Sequence, residues 1–277
     1  MTILDQQHEA TPTLDAPGAR YAATLRRSSG DQQYALGATK AELRTRYAAL
    51  WPAGWRLLHL RGHSVADGAR YTAIWKRSLR SEITVYGVSL DELTERYRRI
   101  WSNGWRLKLL NAHPVVLESG PSIGYTAAWE PSRTPEHQLY SAPHDEFETR
   151  QRDLINQGWR LSSLTVHTDN GIDLPTGEPR YTAIWQPSVV PEIIRCGMSE
   201  VVFQAEYERL WVQGWRLKLL APYVERGHRR FTAVWVRSPS PEIQLPTATV
   251  SEVEDRYRTL WQQGWRLKSL EPHGHSV

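Results

Sequence analysis

The tetrapeptide Gly-Trp-Arg-Leu occurs five times in this chain, beginning at Gly54, Gly104, Gly158, Gly214 and Gly264, at intervals of 50, 54, 56 and 50 residues. A second motif, aromatic-Thr-Ala-x-Trp, begins at Tyr71, Tyr125, Tyr181 and Phe231 with matching intervals. Its fifth copy does not follow Gly264. It stands near the N-terminus, as Arg20-Tyr21-Ala22-Ala23-Thr24-Leu25. Units of about 50 residues are too small to bury a core alone, so five of them imply one cooperative domain. An open stack would need capping repeats with polar outer faces. The displaced copy predicts instead a ring, closed where an N-terminal strand pairs with C-terminal strands.

Residues 82–129 serve as a sample unit. Glu82 to Tyr86 is β-branched and aromatic, which predicts a strand broken by Gly87. Ser89 before Asp91-Glu92 reads as a helix N-cap followed by first-turn acids. Leu93, Tyr97, Ile100 and Trp101 then fall on one helical face. Gly104 ends that helix as a C′ glycine would. Trp105 to His113 and Tyr125 to Trp129 read as second and third strands. The apolar stripe recurs as Leu43, Tyr47, Leu50, Trp51, as Phe203, Tyr207, Leu210, Trp211, and as Val253, Tyr257, Leu260, Trp261. The third unit departs, with Gln151 for the Tyr and Ile155 for the Trp. The predicted class is α+β: a closed five-fold toroid or propeller of strand-helix-strand-strand repeats over residues 15–277, after a flexible tail at 1–14, with the helices outside. The connections between second and third strands vary most, being short at Ser64 to Ala69 and Val224 to Arg229 and longer at Pro114 to Ile123 and Thr168 to Pro179.

The combination Gly54 to Leu60 with Arg70 to Trp75 resembles the bacterial tandem-repeat domain, similar to the Trp-based repeats in the N-terminal half of polyglycine hydrolases. In that family the repeats sit beside a serine hydrolase domain related to β-lactamases. The resemblance runs from about Arg20 to Val277 and implies a module for binding or positioning. The hydrolase's Ser-x-x-Lys motif does not carry over. The residues three before Lys40, Lys76, Lys108, Lys218 and Lys268 are Gly37, Ala73, Trp105, Trp215 and Trp265.

Composition narrows the function. The net charge of +4 is a mild Arg bias, not the clustered basic surface of a nucleic-acid binder. One cysteine, Cys196, excludes an internal disulfide and a Cys-based zinc site. The first fifteen residues have neither a basic n-region nor an apolar h-region, so a cytoplasmic location is expected. No apolar run approaches the ~18 residues that span a bilayer. No cofactor is implied.

Two repeated sets are candidate binding residues. The motif arginines Arg56, Arg106, Arg160, Arg216 and Arg266 accompany recurring acids at Glu82, Glu136, Glu192 and Glu242, with Asp31 one place out of step. These could form ion pairs between strands or units, stack on Trp, or converge on an anion. Nine residues after each motif glycine stand His63, His113, His167, Tyr223 and His273, which ring symmetry brings to one rim. Converging imidazoles could bind a metal or act as acid or base. They could equally bond the following turn, as Tyr also can. The serines Ser28, Ser78, Ser132, Ser188 and Ser238 are expected to bond the turn backbone. Helix-facing Trp is expected to be core. The expected activity is non-catalytic binding of a glycan or extended polymer at several equivalent sites in clefts between units. The alternatives are an enzyme with one site in the central depression, centred on the deviant third unit with Asp169 and Asp173, and a protein-interaction ring.

Overall fold

The computed structural model describes residues 19–65, 67–118, 120–168 and 177–273. The expected tail at 1–14, Asp169 and Asp173 lie outside them. Each of five units contains a three-stranded antiparallel sheet and one helix. The first unit holds β2 (Gln32–Ala38), α1 (Lys40–Leu50), β3 (Trp55–Val65) and β4 (Gly68–Arg77). The second holds β5 (Ile83–Val88), α2 (Leu90–Trp101), β6 (Trp105–Leu117) and β7 (Gly120–Pro131). The third holds β8 (His137–Ala142), α3 (His144–Asn156), β9 (Trp159–Thr168) and β10 (Pro179–Pro187). The fourth holds β11 (Glu192–Met198), α4 (Glu200–Val212), β12 (Trp215–Glu225) and β13 (His228–Arg237). The fifth holds β14 (Glu242–Ala248), α5 (Val250–Trp261), β15 (Trp265–His273) and, from the other end of the chain, β1 (Arg20–Arg27).

β1 takes the middle place in the fifth sheet. It pairs with β14 on one side, Leu25 opposite Ile243, and with β15 on the other, Leu25 opposite Leu267. The displaced motif copy therefore occupies the position that β4, β7, β10 and β13 hold elsewhere. Among the described residues, no sheet closes on itself.

Local sequence accounts for the elements. Thr39, Ser89, Ser199 and Thr249 cap the helices through their side chains, and Thr39 and Thr249 complete capping boxes with Glu42 and Glu252. After each helix, the motif glycine takes a positive φ between 77° and 86°, which L side chains resist. Its carbonyl then accepts the N–H of the serine that follows the middle strand, as in Ser78 to Gly54 at 2.8 Å. The hydroxyls of Ser78, Ser132, Ser188 and Ser238 accept a backbone N–H two residues on, as expected of a turn serine. Gly87 does not break β5. It makes a bulge at φ +58°, between the pairs Val85–Ala127 and Val88–Tyr125, with its N–H on Thr126 Oγ1 at 3.0 Å. Much of what reads in sequence as variable loop is paired hairpin. Pro114 to Leu117 continues β6 opposite Gly120 to Ile123, and β12 pairs down to Glu225–His228.

The core is divided among the units and shared between neighbours. The middle strand turns its Tyr, Ala and Trp toward its own helix, as Tyr71, Ala73 and Trp75 do over Leu43 and Tyr47. The opposite face enters the core of the preceding unit. Ala128 lies in the first unit's core, Ile184 in the second's, Val234 in the third's and Ala22 in the fourth's. Ile74 and Leu36 of the first unit lie in the fifth's. The inner strands also touch in sequence, β3 to β6 to β9 to β12 to β15, and β15 touches β3.

Deleting residues 1–27 removes β1 and strips β14 and β15 of their common partner, exposing two strand edges. This truncation is expected to lose the cooperative thermal transition and to associate in sedimentation runs. Deleting residues 1–12, which have no repeat counterpart, is expected to leave the melt unchanged.

Candidate functional site

The motif arginines are consumed at the helix ends. The guanidinium carbons of Arg56, Arg106 and Arg266 lie 3.3 Å from the ring centroids of Trp51, Trp101 and Trp261, and that of Arg216 lies 3.6 Å from Trp211. Nη1 of each donates to the carbonyl of that Trp and to the carbonyl of the next, at 3.0 and 2.8 Å for Arg56. Arg160, beside Ile155, has no Trp to cover but keeps both bonds, at 3.0 and 2.8 Å. The Nε groups of Arg56, Arg160, Arg216 and Arg266 donate to carbonyls at the start of the next unit. Among the described residues, none of the five pairs with a recurring acid. The ion-pair expectation is therefore corrected in favour of stacking. A helix C-terminus leaves carbonyls without partners, and a planar guanidinium lying on the terminal indole presents its N–H edge to them. Nη1 of all five, and Nε of all but Arg106, are thus spent on the backbone rather than aimed at an anion. Arg77, Arg237 and Arg27 likewise lie 4.2, 4.7 and 4.8 Å over Trp55, Trp215 and Trp265, so many of the indole faces are covered.

The recurring acids join each unit to the one before. The helix hydroxyls of Tyr47 and Tyr97 donate to Glu82 and Glu136 of the following unit, and Tyr207 donates to Glu242 at 3.2 Å. The same carboxylate oxygens accept the N–H of Leu57, Leu107 and Leu217 at 3.2, 3.1 and 3.0 Å. In the third unit Gln151 replaces the Tyr. It donates to Glu192 at 3.4 Å and accepts from the Trp185 indole at 2.5 Å. From the fifth unit, Tyr257 reaches Gln32 of the first at 2.8 Å, and Leu267 N–H meets the same oxygen at 2.9 Å. The first-unit counterpart is thus Gln32, not Asp31. An amide oxygen performs the same acceptance without charge. Burial raises the Tyr47, Tyr97, Tyr207 and Tyr257 hydroxyls and the Glu136 carboxyl above their ordinary pKa.

The His/Tyr series is brought to one end of the inner strands but is not presented to solvent. His113, His167, Tyr223 and His273 are buried and His63 is half-buried. Three of the rings meet the aromatic residue of the preceding unit's middle strand edge-on. Centroid distances are 6.3 Å for His63 with Tyr21, 5.7 Å for His113 with Tyr71 and 5.8 Å for His273 with Phe231. At His113 this aromatic packing stands in place of the expected bond to the following turn. The exception in kind is His273, whose Nε2 lies 2.8 Å from the Pro246 carbonyl. A Cβ at Gly62 would stand 2.2 Å from His113 Cε1, so glycine is what lets that ring lie flat on the strand. Burial, then His63 and His167, lowers His113 to about 3; burial lowers His167 and His273 to about 4. These imidazoles are neutral at pH 7. Burial also pushes the Cys196 thiol up to about 11, out of the nucleophile range. Among the described residues, no group of three or more His, Cys, Asp or Glu is placed to hold a metal ion.

Where the inner strands meet, the residues cease to repeat. Seven places after each motif glycine stand Arg61, Asn111, Thr165, Ala221 and Glu271. Arg61 Nε donates to Glu271 Oε2 at 2.6 Å, and Nη2 reaches the Leu164 carbonyl at 3.4 Å, touching the fifth and third units from the first. His59 Nε2 lies 2.7 Å from the Leu270 carbonyl, and Gly62 N–H donates to Asn111 Oδ1 at 2.7 Å. Arg61, Glu271 and His59 are each at most 5% exposed. Burial raises the Glu271 carboxyl and holds His59 well below the usual histidine range. Sequence reasoning passed over this cluster. Its signal was a charged residue at a repeat position that is apolar or neutral in other units.

Two stability experiments follow. Arg106→Ala removes a stack and two carbonyl bonds but strands no carboxylate, so a loss of about 1–3 kcal/mol is expected in urea denaturation. Tyr97→Phe takes the hydroxyl donor from half-buried Glu136, which keeps Leu107 N–H and Gln138 Nε2, and should cost ~1–2 kcal/mol. The histidines set an acid limb. Their folded pKa values lie below the unfolded value, so their stabilisation is complete above about pH 6.5 and is lost as pH falls toward 4, at ~1.4 kcal/mol per pH unit for each. Glu136 and Glu271, shifted upward, oppose this. His167→Tyr, the residue of the fourth unit at this position, is expected to flatten the slope between pH 6.5 and 4 relative to the unmodified chain.

Among the described residues, no helix is long and apolar enough to cross a membrane. No curated protein matches the chain. Residues 29–78, 137–188 and 191–238, more than half of the sequence, match the family model described as polyglycine hydrolase-like, structural repeat. The second and fifth units fall outside the matched segments but carry the same strands, helix and inter-unit bonds. The chain belongs to the polyglycine hydrolase-like structural-repeat family.

Proposed function

We propose that this chain is a non-catalytic repeat module, a closed five-unit ring that binds an extended polymer, a glycan among the candidates, in grooves between successive units. Support for closure comes from the first unit's Ile74 and Leu36 in the fifth unit's core and from the Tyr257–Gln32 bond. The observation that carries the binding reading is an open groove of about 510 Å³ where α1, β5 and α2 meet. Half-buried Trp51 supplies aromatic surface there, with Tyr47 and Tyr86 buried behind it and Lys40, Arg44, Arg96 and Glu92 along its walls. An aromatic edge with charged walls suits a chain of sugar rings or another polymer with regularly spaced polar groups. A second groove, against β14 and α5, is walled by Glu252, Asp255 and Arg256. The two differ in charge, so the sites are unequal. The motif arginines and the buried histidines then act as scaffold, and the bonded Arg61–Glu271 cluster holds the units together. The protein-interaction reading draws on Val201, Val202 and Val212, which stand exposed on α4.

A glycan screen followed by calorimetry tests this. Multivalent ligand is expected to bind far better than its monomer. Lys40→Ala with Arg44→Ala, both exposed, should weaken binding by about tenfold while leaving the melt unchanged, the size expected for losing charged contacts. Failure of every polymer to bind sinks the groove reading and leaves the α4 surface as the place to seek a partner. A single site insensitive to these changes points to one specialised pocket instead.

A further inference from the structure

We propose that the rim between the fifth and first units binds a small multivalent oxyanion of the phosphate or sulfate kind. The position after Gly-Trp-Arg-Leu is a bulge in every inner strand: Leu58, Lys108, Ser162, Lys218 and Lys268 each sit where the pairing slips by one residue. A repeated bulge aims these side chains the same way. In the second and fourth units the lysine is neutralised by the acid of its own first strand. Lys108 lies 3.0 Å from Glu82 and Lys218 3.3 Å from Glu192.

The fifth unit breaks this arrangement twice. Arg26 on β1 takes Glu242 at 3.1 Å while donating to the Leu217 carbonyl at 2.8 Å, so Lys268 loses its acid. The next acid position around the chain is Gln32, which carries no charge. Its amide is already committed, Oε1 to Tyr257 and Leu267 N–H, and Nε2 to the Leu267 carbonyl at 2.8 Å. Lys76 stands opposite Gln32 in the sheet and adds a second ammonium. Both lysines are exposed, and among the described residues neither forms an ion pair. Three of the chain's five lysines, Lys76, Lys218 and Lys268, thereby stand close to Arg26, and among the described residues the acids that pair with this group are Glu192 and Glu242. The surroundings of Lys268 are crowded enough that desolvation, then Arg26, Lys76 and Lys218, hold its ammonium below the usual lysine pKa. Two adjacent unpaired cations, backed by two more, are matched by an anion carrying two or more charges on closely spaced oxygens. The site uses none of the groove residues and does not depend on the polymer reading.

The experiment is titration calorimetry of the full chain with inorganic pyrophosphate at low salt, with sulfate and chloride at matched ionic strength as further arms. Pyrophosphate is expected to bind at one site, sulfate more weakly and chloride not measurably. Lys76→Gln with Lys268→Gln should weaken pyrophosphate binding by about tenfold or more, and Gln32→Glu, which brings in a competing carboxylate, should do the same. Lys108→Gln, a paired lysine elsewhere on the rim, should change affinity by less than about twofold. Thermal melts check that each variant is folded. The proposal is overturned if pyrophosphate gives no heat, if Lys76→Gln with Lys268→Gln binds as tightly as the unmodified chain, or if Lys108→Gln loses as much, which would mean attraction to net charge alone. Equal affinity for sulfate and pyrophosphate keeps the site and widens its ligand class.

Discussion

One hydrogen bond organises the molecule: a helix side chain of one unit donates to the acceptor that opens the first strand of the next. The acceptor also takes the N–H of the leucine at the third position of the donor unit's inner strand, so one oxygen fastens helix, inner strand and neighbouring sheet together. Units of this size cannot stand alone, and the bond is placed where their dependence is greatest. It tolerates changes of chemistry. Tyr gives way to Gln151 and Glu gives way to Gln32 without loss of the connection. What the position requires is an acceptor at that point in space, not a charge.

The rest of the repeat follows from the same junction. The helix ends just before the motif glycine, and its carbonyls need donors. The motif Arg provides them while its flat face lies on the terminal Trp. The motif therefore encodes a helix stop and an N–H edge, and the helix-terminal Trp three residues before its glycine adds the indole surface. Residues tied up in this way have little left for a ligand. Recognition is better sought where units differ: in grooves whose walls change charge, and at the seam where Gln32, Lys76 and Lys268 leave the pattern.

The seam between the last and first units is also where the buried charges gather. Arg61 meets Glu271 across it, with His59 on the Leu270 carbonyl. A buried ion pair is weak evidence for stability, because desolvation offsets much of its attraction. Its better-attested role is to specify register, and five near-identical units need such a device. Sheets that resemble one another could pair out of order, and a single Arg–Glu match distinguishes this junction from the other four.

Repeat number, element order and the placement of β1 in the fifth sheet were legible in the sequence, because each rests on spacing. The helix stripe, the capping residues and the turn serines were legible for the same reason: their physics is local. The partners of Arg106 and Glu136 were not. Both recur in every unit or nearly so, which made them look like partners of one another, yet one faces the end of its own helix and the other the helix of the preceding unit. Which neighbour a side chain meets depends on how sheets stack, and composition and spacing carry no information about that. His113 shows the same limit. Its position in the series was readable, but its burial against Tyr71 and Gly62, and with it the loss of any charge at neutral pH, was decided only when the preceding unit packed over it. Sequence by itself determined the unit and its order along the chain. Tertiary structure decided which surfaces the units spend on one another, because burial and hydrogen-bond partners at the junctions come from residues such as those 29 and 235 positions apart.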